Sequence, residues 1–373
     1  MITTVIIFIA ILAVLVLVHE FGHFIAAKKS GMKVEEFGFG FPPRLFGVQK
    51  QEGKFRLVLG HPKELSTDNT VYSFNLIPLG GFVKILGENN DAASTPNSFT
   101  SKSFGRRLIT LLAGVVMNVL LAWVLISIGY MYGLPVGVDS SVKFPSYVRV
   151  VDSYTSILDI DPNSPASKAG LRANDTIQSL DGQSFKDTEQ VQRYIREHKG
   201  KQFSFVVKRS GKSETILVDS LANPEVGQGS VGVSMLTVAR VQYPFVYAIS
   251  EGARTTVFQV YAIFHGLYEL IIRGVGLGSV GGPVKIAQMT GEVASLGAVY
   301  LLQFTAFLSL NLAVLNSLPF PALDGGRVLF LLIEKIRGKH NNQRFEMYAN
   351  TLGFAILLLL MLVVTIKDVK SFW

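Results

Sequence analysis

Four stretches of the chain carry no charged residue: 1–18, 108–138, 293–323 and 347–366. A helix needs about 20 mainly apolar residues to cross about 30 Å of hydrocarbon, and each stretch approaches or exceeds that length. They predict four transmembrane helices, at 1–30, 106–138, 293–326 and 347–367. The first lacks the basic leader and small-residue cleavage site of a secretory signal, so it reads as a retained span. A fifth apolar segment, 245–275, carries small or polar residues at steps of three and four: Thr255, Gln259, Ala262, Gly266, Glu269 and Arg273. That stripe predicts an amphipathic helix lying in the membrane interface.

The segments between the spans have different patterns. Within 31–105, residues 55–59 and 71–85 predict strands of a small membrane-associated sheet, with turn chemistry at Pro78, Gly80 and Gly81. Phe82, Val83, Lys84 and Ile85 form a candidate edge strand, whose unpaired N–H and C=O groups an extended peptide can join. Residues 148–221 predict a compact α/β module. It comprises strands at 157–160 and 176–180, a helical turn at 166–169 stopped by Gly170, a capped helix at 187–198, and a hairpin of 203–208 with 214–218 across Ser210-Gly211.

Composition narrows the class. The 373 residues are 49% hydrophobic and 17% charged, with mean hydropathy +0.37, against about 25% charged in soluble domains. There is no cysteine, which excludes disulfides, thiolate nucleophiles and cysteine-built metal sites. The net charge of +8 is spread along the chain, which fits an anionic membrane surface and argues against nucleic acid. Lys28, Lys29, Lys33, Arg44, Arg106 and Arg107 flank the first connection; Arg327, Lys335, Arg337, Lys339 and Arg344 lie in the last. The positive-inside rule places both in the cytoplasm, with both termini and residues 139–292 outside.

The central chemical signal is His19-Glu20-Phe21-Gly22-His23. Histidines four apart share one helical face and can hold one zinc ion, with Glu20 beside them as a base for water. A coincidental polar patch is a weak alternative, because such groups are costly near hydrocarbon unless they serve a site. His19 lies about 27 Å along the helix, toward the cytoplasmic side. Zinc requires a third protein ligand and an open position. His61, His198, His265 and His340 stand in contexts that suggest surface or packing roles. Asp324 is the best candidate: Pro319 and Pro321 break the third span just before it, and irregular backbone at membrane depth needs a buried or wet setting.

These motifs together resemble the site-2 protease family of intramembrane zinc metalloproteases. The histidine motif, Gly38-Phe39-Gly40-Phe41, and the run from Asn316 to Gly325 (NSLPFPALDG) match the family pattern, closest to the bacterial regulator-of-sigma-E proteases. The resemblance implies zinc held by His19, His23 and Asp324, with Glu20 as general base. It makes Asn316 a contact to substrate or oxyanion, with Asn311 and Pro319 shaping that site. Ordinary helix-cap work is the alternative role for Asn316. It further implies a bacterial inner-membrane enzyme that cleaves single-span proteins, such as anti-sigma factors or remnant signal peptides. Residues 164–183 resemble the bacterial type of PDZ domain, which implies a peptide site between Ser156–Ile160 and Asp187–His198. One departure stands out: those proteases typically carry two PDZ modules, and 223–243 is too short for a second. A catalytically silent membrane scaffold with a peptide-binding PDZ module is the rival reading. A transporter fits poorly, because the spans show no matched pair of broken helices.

Overall fold

The computed structural model describes residues 2–51, 53–60, 69–88, 95–138, 144–209, 211–221, 229–274, 281–339 and 342–370. The chain begins α1 (Ile2–Lys29), β1 (Val34–Gln51), β2 (Lys54–Leu59), β3 (Val71–Ile85), α2 (Phe104–Tyr132) and β4 (Leu134–Val138). There follow β5 (Arg149–Ile160), α3 (Pro165–Ala169), β6 (Thr176–Leu180), α4 (Thr188–Glu197), β7 (Gln202–Arg209), β8 (Lys212–Asp219) and β9 (Val233–Gln242). Then α5 (Phe245–Tyr268) runs into a π turn (Glu269–Arg273), before α6 (Pro283–Leu296), α7 (Ala298–Ser317), α8 (Asp324–Arg337) and α9 (Gln343–Lys370). Two compact units result. One takes the described residues of Met1–Leu125, Ala253–Gly291 and Phe304–Trp373; the other takes Ile126–Gly252 and Glu292–Gln303.

Five helices among the described residues are long and apolar enough to cross a membrane: Ile2–Lys29, Phe104–Tyr132, Phe245–Arg273, Ala298–Ser317 and Arg344–Lys370. Phe245–Arg273, expected at the interface, meets the length and composition of a span but is the least apolar of the five. Two expected spans are shorter than their uncharged stretches. The second stops at Tyr132, where Gly133 takes φ +97 and the chain turns into β4. A side chain rarely adopts that backbone, so the helix ends there although apolar residues continue. The third, expected over 293–326, divides into the end of α6, α7, and the start of α8 at Asp324, with the two prolines in the link.

In the first unit, β1 and β3 are long and bent, so each contributes two stretches to one sheet. Phe46 to Gln49 pair with β2 on one side and with residues 71–74 on the other. Phe37 pairs with both Tyr72 and Val83, which places residues 81–85 at the sheet's edge. The sequence reading placed β2 and β3 but missed β1, because Gly38, Gly40, Pro42 and Pro43 read as turn chemistry. Ala27, Met32, Val34, Ile85, Phe99, Leu111 and Leu331 form a buried cluster that ties this sheet to α1, α2 and α8.

The second unit holds a six-stranded sheet in the order β4-β9-β5-β6-β7-β8. Its core packs Ile157, Leu180, Val191, Phe203, Phe205 and Val207. Ser164 caps α3 and Asp187 caps α4 with side-chain oxygens, as their sequence positions predict. Asp175, almost fully buried, pairs with Arg209 at 2.6 Å and holds that guanidinium above its usual basicity. Two expectations are corrected. The module is larger than 148–221, because β4 and β9 pair through Leu134↔Val241 to Val138↔Thr237, and β9 lies in the segment thought too short for a second copy. Ser156–Ile160 is no open groove strand: β9 pairs along it, and β6 engages its start. The strand beside α4 is β9, where Thr188 N donates to Thr237 Oγ1 at 2.9 Å. Ser210 lies outside the described residues.

Candidate metal centre and active site

α1 brings His19 and His23 to one face, one turn apart and buried to 6% and 7% exposure, with their Nε2 atoms 3.2 Å apart. Asp324 opens α8, after a link in which Ala322 takes φ +75 and donates its N–H to Oδ1 of Asn350 at 3.0 Å. That irregular turn aims Oδ2 of Asp324 at both rings, 3.0 Å from His19 Nε2 and 3.3 Å from His23 Nε2. Tetrahedral zinc with bonds of about 2.0–2.2 Å separates its ligands by about 3.3–3.6 Å, close to this triangle. Oδ2 is buried and takes no hydrogen bond, as an oxygen reserved for a cation would be. The three residues are the group able to hold a metal ion among the described residues, and they fit zinc.

Glu20 points into the space beside the donors. Its Oε2 accepts the Val83 N–H at 3.1 Å, so that N–H faces the site and away from β1. A cavity of about 440 Å³ is bounded by Glu20, His23 and Asp324 on one side and by edge residues 81–85 on another. Arg327, one turn beyond Asp324, pairs with Glu88 at its wall. Lys84 turns its side chain to Glu35 at 2.8 Å and contributes backbone to the edge.

The other expected residues fall elsewhere. Asn311 donates to the Phe307 carbonyl one turn back, at 2.8 Å. Asn316 is half-buried on α7 and Pro319 is exposed in the link; none of these three is among the cavity's lining residues. His198 packs on Tyr194 and His265 is exposed, while His61 and His340 lie outside the described residues. Sequence reasoning missed α2. Its Thr110 carbonyl accepts from His23 Nδ1 at 2.8 Å, and Asn118 approaches Nδ1 of His19. Between them, a Cβ on Gly114 would press into His23 Nε2 and sit 2.6 Å from His19 Cε1. The signal was present: Thr110, Gly114 and Asn118 recur every four residues in an otherwise apolar span.

Two histidines and an aspartate at one level of an apolar helical bundle, with a glutamate beside them and a strand edge along the cavity, fit a membrane-embedded zinc metalloprotease. The chain belongs to peptidase family M50, whose model matches residues 7–360. A Clostridium acetobutylicum protein that carries a zinc-metalloprotease name is 34% identical over 363 residues, covering 97% of this chain and 96% of that one. The zinc metalloprotease RasP of Geobacillus kaustophilus is 30% identical over 447 residues, 98% of this chain and 97% of its own. The regulator of sigma-W protease RasP of Bacillus subtilis is 30% identical over 449 residues, 99% of each chain. Among solved structures, the PDZ domain of an SdrC-like protein from Listeria innocua is 30% identical with a TM-score of 0.20, covering 22% of this chain and 92% of that one. The protein is thus a multi-pass intramembrane protease of the site-2 type that uses zinc.

Proposed function

We propose that this protease hydrolyses peptide bonds in or beside the transmembrane segments of single-span proteins, including anti-sigma factors and remnant signal peptides. In this reading His19, His23 and Asp324 hold the zinc and Glu20 is the general base. One observation carries it: the open edge at 81–85 borders the same cavity as Glu20, His23 and Asp324. A peptide bond inside a helix is shielded by its own turn, so a few substrate residues must unwind and find new backbone partners where water is scarce. The edge supplies them by strand addition. When bound, zinc polarises the scissile carbonyl and supplies a nucleophilic water near neutral pH. Glu20 takes the proton of the attacking water and passes it to the leaving nitrogen. The Val83 N–H holds one oxygen of Glu20 in place and leaves the other free for that transfer. Asn316 as amide donor to the oxyanion rests on the family resemblance alone.

The same reading keeps four spans, with α5 in the interface. Tyr243 N donates to Tyr130 O at 2.9 Å, so α5 starts beside the end of α2. Beyond α5, Lys285 N, in the first turn of α6, donates to Asp368 near the end of α9 at 3.0 Å. Phe245–Arg273 is the least apolar of the five candidate helices, and its charged residues Glu251, Arg254, Glu269 and Arg273 suit an interface better than hydrocarbon. With α2 and α9 both running outward, the termini and the module are outside and the metal centre lies toward the cytoplasm of a bacterial inner membrane. In the module, a peptide ligand would pair with residues 233–236 of β9, beyond the end of β4 and near α4.

The test is a deletion strain complemented with wild-type protein or Glu20→Gln. Membrane proteomics should find single-span fragments that accumulate in the Gln strain and vanish in the wild type. Identical peptide profiles would favour the silent scaffold. The sigma-W name of one relative directs the first search to membrane proteins that control a sigma factor.

A further inference from the structure

The role of Thr110 toward His23 raises a question about His19. A histidine that binds zinc through Nε2 must carry its proton on Nδ1, and that N–H needs an acceptor when it is buried. His23 has one in the Thr110 carbonyl. Beside Nδ1 of His19 lies the carboxamide of Asn118, with Nδ2 at 3.4 Å. Asn118 is 0% exposed, and its Oδ1 is buried without a hydrogen-bond partner. A buried amide oxygen without a partner costs on the order of 1–3 kcal/mol, which a purely structural role leaves unexplained. A half-turn about the last side-chain bond exchanges Oδ1 and Nδ2 without altering the shape of the group. Oδ1 then accepts the Nδ1 proton of His19, whose Nε2 keeps its lone pair for the metal, and Nδ2 takes the buried position that Oδ1 leaves.

We propose that Asn118 is a positioning residue of the metal centre, whose side-chain oxygen fixes His19 in the tautomer that binds zinc, as the Thr110 backbone does for His23. The placement is sturdy. Ser309 Oγ on α7 donates to the Asn118 backbone carbonyl at 2.8 Å, which registers this turn of α2 independently of the side chain. The inference rests on the zinc reading of His19 and goes beyond it, because it assigns α2 a part in metal binding. α2 then supplies an acceptor for each imidazole at two of its turns, with Gly114 leaving room between them.

The test uses the purified full-length protein in detergent, with zinc affinity measured by competition against a chromogenic chelator. Asn118→Asp keeps an acceptor and should bind within a few-fold of wild type or more tightly. Asn118→Leu, of similar size and without an acceptor, should lose 10- to 100-fold in affinity, as outer-shell partners of ligating histidines do. Ser309→Ala, which loosens the helix contact without touching His19, should bind as wild type does. Wild-type affinity in the Leu variant, equal losses in Asp and Leu, or a comparable loss in Ser309→Ala would overturn the proposal. Nitrogen NMR of zinc-loaded wild type needs no destabilised variant: His19 should show a protonated Nδ1 whose resonance moves in Asn118→Asp. An unprotonated Nδ1, or one indifferent to that change, would also overturn it. Retained zinc binding that fails at Asp324→Ala but not at Asn118→Leu would sink this inference and leave the ligand assignment standing.

Discussion

In the module the buried side chains include Phe203, Phe205, Leu180 and Ile157, and the charged ones lie mainly at the surface. In the membrane unit, α9 exposes Leu352, Phe354, Leu359 and Leu360, while His19, His23, Thr110, Asn118 and Ser309 are buried. Each unit hides what its solvent rejects. Water drives apolar groups inside the module at about 25 cal/mol per Å². Lipid offers no such drive, so the membrane unit spends its interior on packing and on polar groups that would find no partner outside. The comparison teaches where buried polar residues need a second explanation: Asp175 is paired with Arg209 in the module, as Arg44 is with Glu36 and Arg107 with Glu334 in the membrane unit, whereas His19, His23 and Asn118 gather about Asp324.

The sharpest way to break that contrast is Glu20→Gln. The amide keeps the size of the side chain but accepts no proton, so turnover on a model substrate should fall by about 100- to 10,000-fold. Metal analysis should show zinc retained; near wild-type cleavage would remove Glu20 from the role of base. Asp324→Ala comes next, because two imidazoles alone under-coordinate the ion. Zinc affinity should weaken by at least about 100-fold, more than for loss of an outer-shell partner. Gly114→Ala should reach a similar loss by steric means, since its methyl would occupy the space at the two rings. Full metal occupancy in either variant would relocate the centre.

The module should answer to packing instead. Phe205→Ala leaves a cavity in a closed core and should cost about 3–5 kcal/mol, seen in a thermal melt followed by module-specific proteolysis, with zinc content unchanged. Val83→Pro removes the N–H that Glu20 accepts and restrains the edge, so cleavage should slow with folding and zinc intact. Misplacement of Glu20 alone would slow all substrates equally. Loss of strand addition would slow a stable helical substrate several-fold more than one carrying helix-breaking Gly or Pro, and equal rates would eliminate that step. The smallest effect belongs to Leu359→Ala on the lipid-facing side of α9, where a change within about 0.5 kcal/mol is expected; a loss of core magnitude would show a protein partner on that face.

Much of this was legible along the chain because the signals are local. The histidine spacing, the extent of β3 from Val71 to Ile85, and the caps of α4 at Asp187 and His198 depend on residues within a turn or a strand of one another. The proline pair before Asp324 pointed to a third ligand through the same kind of local break. β1 was not legible, since its glycines and prolines suit a bend inside a strand as well as a loop. β9 was not legible as part of the module, because its partners β4 and β5 lie about 100 and 80 positions upstream, and short-range pattern does not report such pairing. The strand beside α4 was misassigned for the same reason: which strand meets a helix depends on pairings that local pattern does not report.

By itself, the sequence determined which segments are apolar enough to span a membrane, which residues can ligate zinc, and local features such as the extent of β3 and the caps of α4, because hydrophobic length, donor chemistry and backbone sterics act over a few residues. Only the tertiary structure decided that Asp324 meets His19 and His23 within 3.3 Å, that 81–85 is the sheet's open edge along the same cavity, and that α2 stands behind the imidazoles with Thr110, Gly114 and Asn118. Those facts depend on how separate elements are packed in space, and the interactions that set them join residues as far apart as 19 and 324, between which no local pattern carries the constraint.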